Sequence, residues 1–300
     1  MSGVDTAAVV ADRAPTSGTV PDEPPYLLRT RPSQIARRAV RVLGAVLLIA
    51  FVMLPLVAIV GSSVTTMPFW QFPPEGFTLA WYERFFDNPE LVRSLLLSVV
   101  TGLFAGVVGT VVSLIGAIGI ERAWGRVSRI SGVVVLLPLL VPNIVLGLGI
   151  YMLYINLGLR VNALTLGMAQ LIIVLPITVR LLMVAVGGVS PNVERAAANL
   201  GANPLRVHLK VTLPIVRPSL IAAGVMGFVL AFDDSSIALF VSAPGTVTLP
   251  VRMLLSMDHE SGPLVAASGS LLLLVAVVLI VVLELTVGLA RAFGVKEGHK

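Results

Sequence analysis

The chain has 300 residues, 56% of them hydrophobic and only 12% charged, with a mean hydropathy of +0.96. Soluble domains carry about twice that charged fraction, so a soluble globular class is excluded and an integral membrane protein is indicated. The chain contains no cysteine, which removes disulfides, thiolate catalysis and thiolate metal sites.

In chain order, the first 40 residues hold five prolines and no long apolar run, which predicts a disordered tail rather than a cleaved leader. Crossing about 30 Å of hydrocarbon takes roughly 20 helical residues. Six segments meet that length, at about 42–64, 94–120, 130–154, 163–187, 216–241 and 264–290. The expected fold class is therefore all-α, with six transmembrane helices over 41–292 and a short tail at 293–300.

The net charge is +5, and its placement argues against a nucleic-acid partner. Seventeen of the 21 basic residues fall on one side of the six-span arrangement. They include Arg37, Arg38 and Arg41 before span one, Arg122, Arg126 and Arg129 after span two, and Arg195, Arg206 and Lys210 after span four. The positive-inside bias puts that side, both termini and the loop 188–215 in the cytoplasm.

After span one, Phe69, Trp70, Phe72, Phe77, Trp81, Tyr82, Phe85 and Phe86 crowd a segment broken by prolines, as in an interfacial aromatic belt. Within it, Leu79 to Phe86 predicts a short helix capped by Thr78. Span two carries Gly102-x-x-x-Gly106, which allows close helix approach. Span three contains Pro138 and Pro142, so a kink is expected there. The loop after span five has the turn sequence Ser242-Ala243-Pro244-Gly245. Asp258-His259-Glu260 follows without a nucleophile at defined spacing and reads as a solvated loop.

A nucleotide-binding P-loop needs a lysine directly after a glycine. The only lysines are Lys210, Lys296 and Lys300, and none follows a glycine. His208, His259 and His299 are too scattered for a metalloprotease helix. No catalytic residue, metal site or bound cofactor is expected of this chain.

The loop between spans four and five is the most structured polar segment. Ser190-Pro191 predicts a helix start, with a hydroxyl cap and a proline in the first turn. Val193, Ala197 and Leu200 then form one apolar stripe. Ala196, Ala197 and Ala198 keep the surface small. Glu194 complements the positive helix end and is also able to accept from a partner's arginine or N–H. Gly201 supplies a left-handed cap, and Asn203-Pro204 starts a second helix. Leu213-Pro214 and Pro218 are expected to break the chain before span five. Two capped helices with an alanine-rich face suit docking of another protein.

These residues resemble the transmembrane permease subunit of ABC importers, whose cytoplasmic loop reads EAA, three residues, G, nine residues, then I-x-L-P. Glu194, Ala196, Gly201, Leu213 and Pro214 match at that spacing; Arg195 replaces the first alanine and Val211 the isoleucine. The resemblance implies a type I importer architecture in the bacterial inner membrane. It also implies a coupling helix seated on a dimer of separate ATPase subunits, where ATP and Mg bind, a second permease subunit, and an extracytoplasmic solute-binding protein. Glu194 would anchor the dock, Ala197 and Ala198 would pack closely, and Gly201 would set the bend.

Span five carries Asp233-Asp234, the only adjacent carboxylates within a span. Each charge costs roughly 2.5–3.5 kcal/mol in hydrocarbon on insertion scales, so the pair should face a cavity or a partner. Side by side on a helix they would point about 100° apart. Lining a path for a cation and bonding to a companion permease both remain open readings. The pair and the segment that follows resemble the second permease of the spermidine/putrescine importer type, although Ser235 and Ser236 stand where that group often has an aromatic. A small organic cation such as a polyamine is the expected cargo. An opine, iron complex or thiamine importer, or an ATPase-independent secondary transporter, is the alternative.

Overall fold

The computed structural model describes residues 34–123, 126–257 and 262–287. The expected tails at 1–33 and 288–300 and the Asp258-His259-Glu260 loop lie outside them. Among the described residues there are helices and no strands.

The helices are α1 (Gln34–Ser63), α2 (Ala80–Asp87), α3 (Pro89–Arg122), α4 (Arg126–Val134), α5 (Asn143–Asn156) and α6 (Ala163–Gly187). They continue as α7 (Pro191–Asn199), α8 (Pro204–Val207), α9 (Leu213–Phe232), α10 (Ser236–Phe240), α11 (Leu249–Ser256) and α12 (Pro263–Val287). The chain divides at Val52 into two units. The first contains the opening part of α1, whose side chains from Arg37 onward are exposed and, from Val42, largely apolar, as a lipid-facing helix should be.

Among the described residues, five helices are long and apolar enough to cross a membrane. A bent pair, Ile130–Leu140 with Asn143–Asn156, turned by 97°, makes a sixth when counted as one span. The bend has the expected cause. Pro138 sits in a 3-10 turn at Leu137–Leu140, and Pro142 stands just before α5, so two backbone donors are missing from the ladder.

The centre of the second unit is α3, α6 and α9. Ala105, Val174 and Ala231 form its middle, and Ala117, Leu182, Val186, Val216 and Ala223 its lower part. Gly102 and Gly106 face α9, as their spacing predicts. A Cβ on Gly106 would lie 2.7 Å from the Gly224 carbonyl oxygen, so the two backbones nearly touch there. Polar groups add interhelical ties. Gln170 donates through Nε2 to the Ala231 carbonyl at 2.8 Å, and the hydroxyls of Ser113 and Thr178 lie 2.6 Å apart. In hydrocarbon such bonds contribute on the order of 0.6 kcal/mol each, so they fix alignment more than stability.

The segment after α1 folds back on itself. Trp81 donates from Nε1 to Thr65 O at 2.7 Å, the Tyr82 and Ser63 hydroxyls are 2.7 Å apart, and Phe85 is buried with Leu91 and Leu249. Phe69, Trp70, Phe72 and Phe77 remain exposed, which suits an interfacial belt. Helix α2 starts one residue later than expected, with the Thr78 hydroxyl accepting from Ala80 N–H. At the same end, α11 is tied to α3: Ser98 accepts from Leu249 N–H at 2.9 Å, and Arg252 donates to Ser94 and Glu90 at 2.9 and 2.6 Å.

Candidate functional site

Helix α7 starts as its sequence requires. Ser190 accepts from Asn192 N–H, and Pro191 occupies the first helical position, where its missing donor costs nothing. It ends in a paired C-cap: Gly201 N–H reaches Ala198 O at 2.9 Å and Ala202 N–H reaches Ala197 O at 3.1 Å. That pairing is a Schellman motif. It needs a left-handed residue, and Gly201 has φ of 87°. Nothing lies within 4 Å of a Cβ placed there, so the requirement for glycine is purely one of backbone conformation.

The apolar stripe faces outward. Leu200 is 90% exposed and Val193 48%, with Leu205 and Leu209 beside them on the second half of the loop. Arg195, Arg206 and Lys210 are exposed as well. Ala196 and Ala198 are exposed, and Ala197 is half-buried.

Glu194 points the other way. Its Oε1 accepts from Arg122 at 2.7 Å and from the Thr212 hydroxyl at 2.8 Å, and its side chain is only 14% exposed. Burial pushes its carboxyl up, but the bonds from Thr212 and Arg122 outweigh this and hold it below the usual glutamate range. One oxygen of the carboxylate expected to accept from a partner is thus engaged within its own chain.

The second half of the loop also differs from expectation. Asn203 caps α8, accepting from Arg206 N–H at 2.8 Å, but no break follows at Leu213-Pro214 or Pro218. The helix runs on from Pro204 to Phe232. A π turn at His208–Thr212 lets Leu213 N–H bond to His208 O, five residues back. The widened turn takes up Pro214, which has no N–H to offer. Leu213 and Pro214 thus open α9 within a continuous helix rather than at a break.

The Asp233-Asp234 pair lies between helices, not along one. Helix α9 ends at Phe232, and Asp234 caps α10. Its Oδ1 accepts from Ser236 and Ile237 N–H at 3.1 Å each, and its Oδ2 from Ala238 N–H at 3.0 Å. Asp234 is 7% exposed, whereas Asp233 is exposed. The straight span expected over 216–241 is therefore broken at this pair, and the two carboxylates are sorted by the break. Sequence reasoning missed Arg122, Thr212 and Gln170, which no local pattern marks.

Residues 109–293 match the family described as binding-protein-dependent transport system inner membrane components. The chain belongs to that family. It is a permease subunit of an ABC importer, a multi-pass inner-membrane transport component. Among its relatives, the spermidine/putrescine transport system permease protein PotC of Haemophilus influenzae is 24% identical over 79% of this chain and 91% of its own length. The putrescine transport system permease protein PotI of Escherichia coli is 27% identical over 66% and 73%. The putative 2-aminoethylphosphonate transport system permease protein PhnV of Salmonella paratyphi A is 26% identical over 83% and 93%. In fold, the permease is similar to a chain of a bacterial ABC transporter involved in alginate import. The TM-score is 0.62 at 17% identity, covering 83% of this chain and 95% of that one. The architecture expected from the sequence is thus the one found, with family membership resting on the sequence match. The family implies ATPase and solute-binding-protein partners.

Proposed function

We propose that this permease, paired with a companion permease, imports a small organic cation such as a polyamine, and that a dimer of separate ATPase subunits drives it through α7. The carrying observation is the outward apolar face of α7: Leu200 is 90% exposed on a turn that Gly201 fixes rigidly. Exposed Arg195, Arg206 and Lys210 surround it, so the complementary groove on the ATPase would be apolar with an acidic rim. The chain has no lysine after a glycine, consistent with ATP and Mg being held on the partner. The excess of basic residues around α7 supports a cytoplasmic position for this loop and for both termini.

Asp233 carries the substrate reading. It is the exposed carboxylate at a break in a span, while Asp234 is occupied by its own backbone. Relatives named for spermidine/putrescine and for 2-aminoethylphosphonate have an amine in common, and an exposed carboxylate suits an ammonium group in either. At about 4 Å and an effective dielectric near 20, such a pair attracts by roughly 4 kcal/mol before desolvation. Putrescine uptake into cells producing the whole importer is the test. Asp233→Asn should lower uptake about tenfold or more while the ATPase still co-purifies. Unchanged uptake would rule out the pathway role.

A further inference from the structure

Three elements meet at one carboxylate oxygen. Oε1 of Glu194, on α7, takes the Arg122 guanidinium from the last turn of α3 at 2.7 Å and the Thr212 hydroxyl from the π turn at 2.8 Å. The Arg122–Glu194 pair is more enclosed than the Arg252–Glu90 pair, with Glu194 14% exposed where Glu90 is 73%. Both elements that Glu194 grips belong to the tight core. Helices α3 and α9 approach to backbone contact at Gly106 and Gly224, and α9 ends at the Asp233 break. The clasp residue Thr212 closes the π turn, and α9 runs from the next residue to that break; π turns recur at functional sites.

We infer that Glu194, Arg122 and Thr212 form an internal clasp that transmits displacement of α7 to α3 and α9, making them positioning residues for access switching rather than anchors for the ATPase. This rests on the reading that α7 is the docking element. A docked α7 without the clasp would still be held by Leu200 and its neighbours, but its motion would be absorbed in the 188–203 segment. With it, α7 and the base of α9 move as one body, because a partly buried charged bond resists separation far better than exposed pairs do.

The natural absence of cysteine allows a direct test. Asp233→Cys is introduced in the assembled importer, and its labelling rate by a membrane-impermeant maleimide is measured with and without a non-hydrolysable ATP analogue. In that background, Arg122→Gln or Glu194→Gln should each shrink the nucleotide-dependent change by about fivefold or more, while the ATPase still co-purifies. The pair Arg122→Gln/Glu194→Gln should be no worse than either alone, and the exchange Arg122→Glu/Glu194→Arg should recover part of the response. Thr212→Val, which preserves shape, should give a smaller loss and guards against misfolding as the cause. An undiminished response in Arg122→Gln, or loss of ATPase association in Glu194→Gln, would overturn the clasp. A parent whose labelling ignores nucleotide would overturn both the clasp and the reading beneath it, and is recognised before any clasp variant is made.

Discussion

Replacing Asp234 with alanine tests the division of labour between the two carboxylates. Its oxygens take three backbone N–H groups at the start of α10, at 3.1, 3.1 and 3.0 Å. A side-chain cap is worth about 0.5–2 kcal/mol, and a buried donor left without an acceptor costs about 1–3 kcal/mol. These overlap rather than add, so Asp234→Ala should destabilise the permease by about 1–3 kcal/mol. Asp234→Asn keeps one oxygen for Ser236 and Ile237 but turns an amide NH₂ toward Ala238 N–H, so its cost should be about half as large. In detergent, Asp234→Ala should lower the melting temperature by roughly 3–9 °C, using the scale for a chain of this size. Asp233→Asn should stay within about 0.5 kcal/mol of the parent yet still lose uptake. An Asp234→Ala protein that melts with the parent, or an Asp233→Asn that is the more destabilised, would refute the assignment.

Leu200→Ser removes a side chain that is 90% exposed in the permease, so the melting temperature should not move. ATPase affinity should fall roughly 10- to 100-fold, reading about 1.5–3 kcal/mol for a leucine buried on docking; equal binding by pull-down titration would count against the docked face. Gly106→Val drives a Cβ to 2.7 Å from the Gly224 carbonyl, and should cost about 1–3 kcal/mol or more by thermal melting, because backbone must move. Gly201→Val should cost about 1–2 kcal/mol through its positive φ alone. Glu194 has its pKa lowered in the fold, so its contribution is full above the ordinary carboxylate range and is lost as pH falls below it. The melting advantage of the parent over Glu194→Gln should therefore hold from pH 7 to about 5 and shrink as pH falls below that; a gap that widens on acidification would contradict the sign.

The apolar runs and basic flanks made the spans legible, since length and charge bias are local properties. The Ser190-Pro191 start and the Gly201 stop were legible for the same reason: capping is set by residues within one turn. What failed to show was non-local. Nothing near Glu194 marks Arg122, 72 residues away, as its partner, and so its carboxylate looked free for an outside protein. The Asp233 break was hidden because the run 216–241 is apolar enough to pass as one helix. The capping by Asp234 emerges only once α10 is seen to start at Ser236. Pro214 was misjudged as a terminator because a π turn, which absorbs a missing donor, leaves no sequence signature of its own.

The ATPase is proposed to meet this permease at the outward face of α7. A single photocrosslinking residue at position 200, set against one at position 194, tests it in the assembled importer. A covalent adduct with the ATPase subunit is expected from 200 and little or none from 194. An adduct from 194 with none from 200 would contradict it.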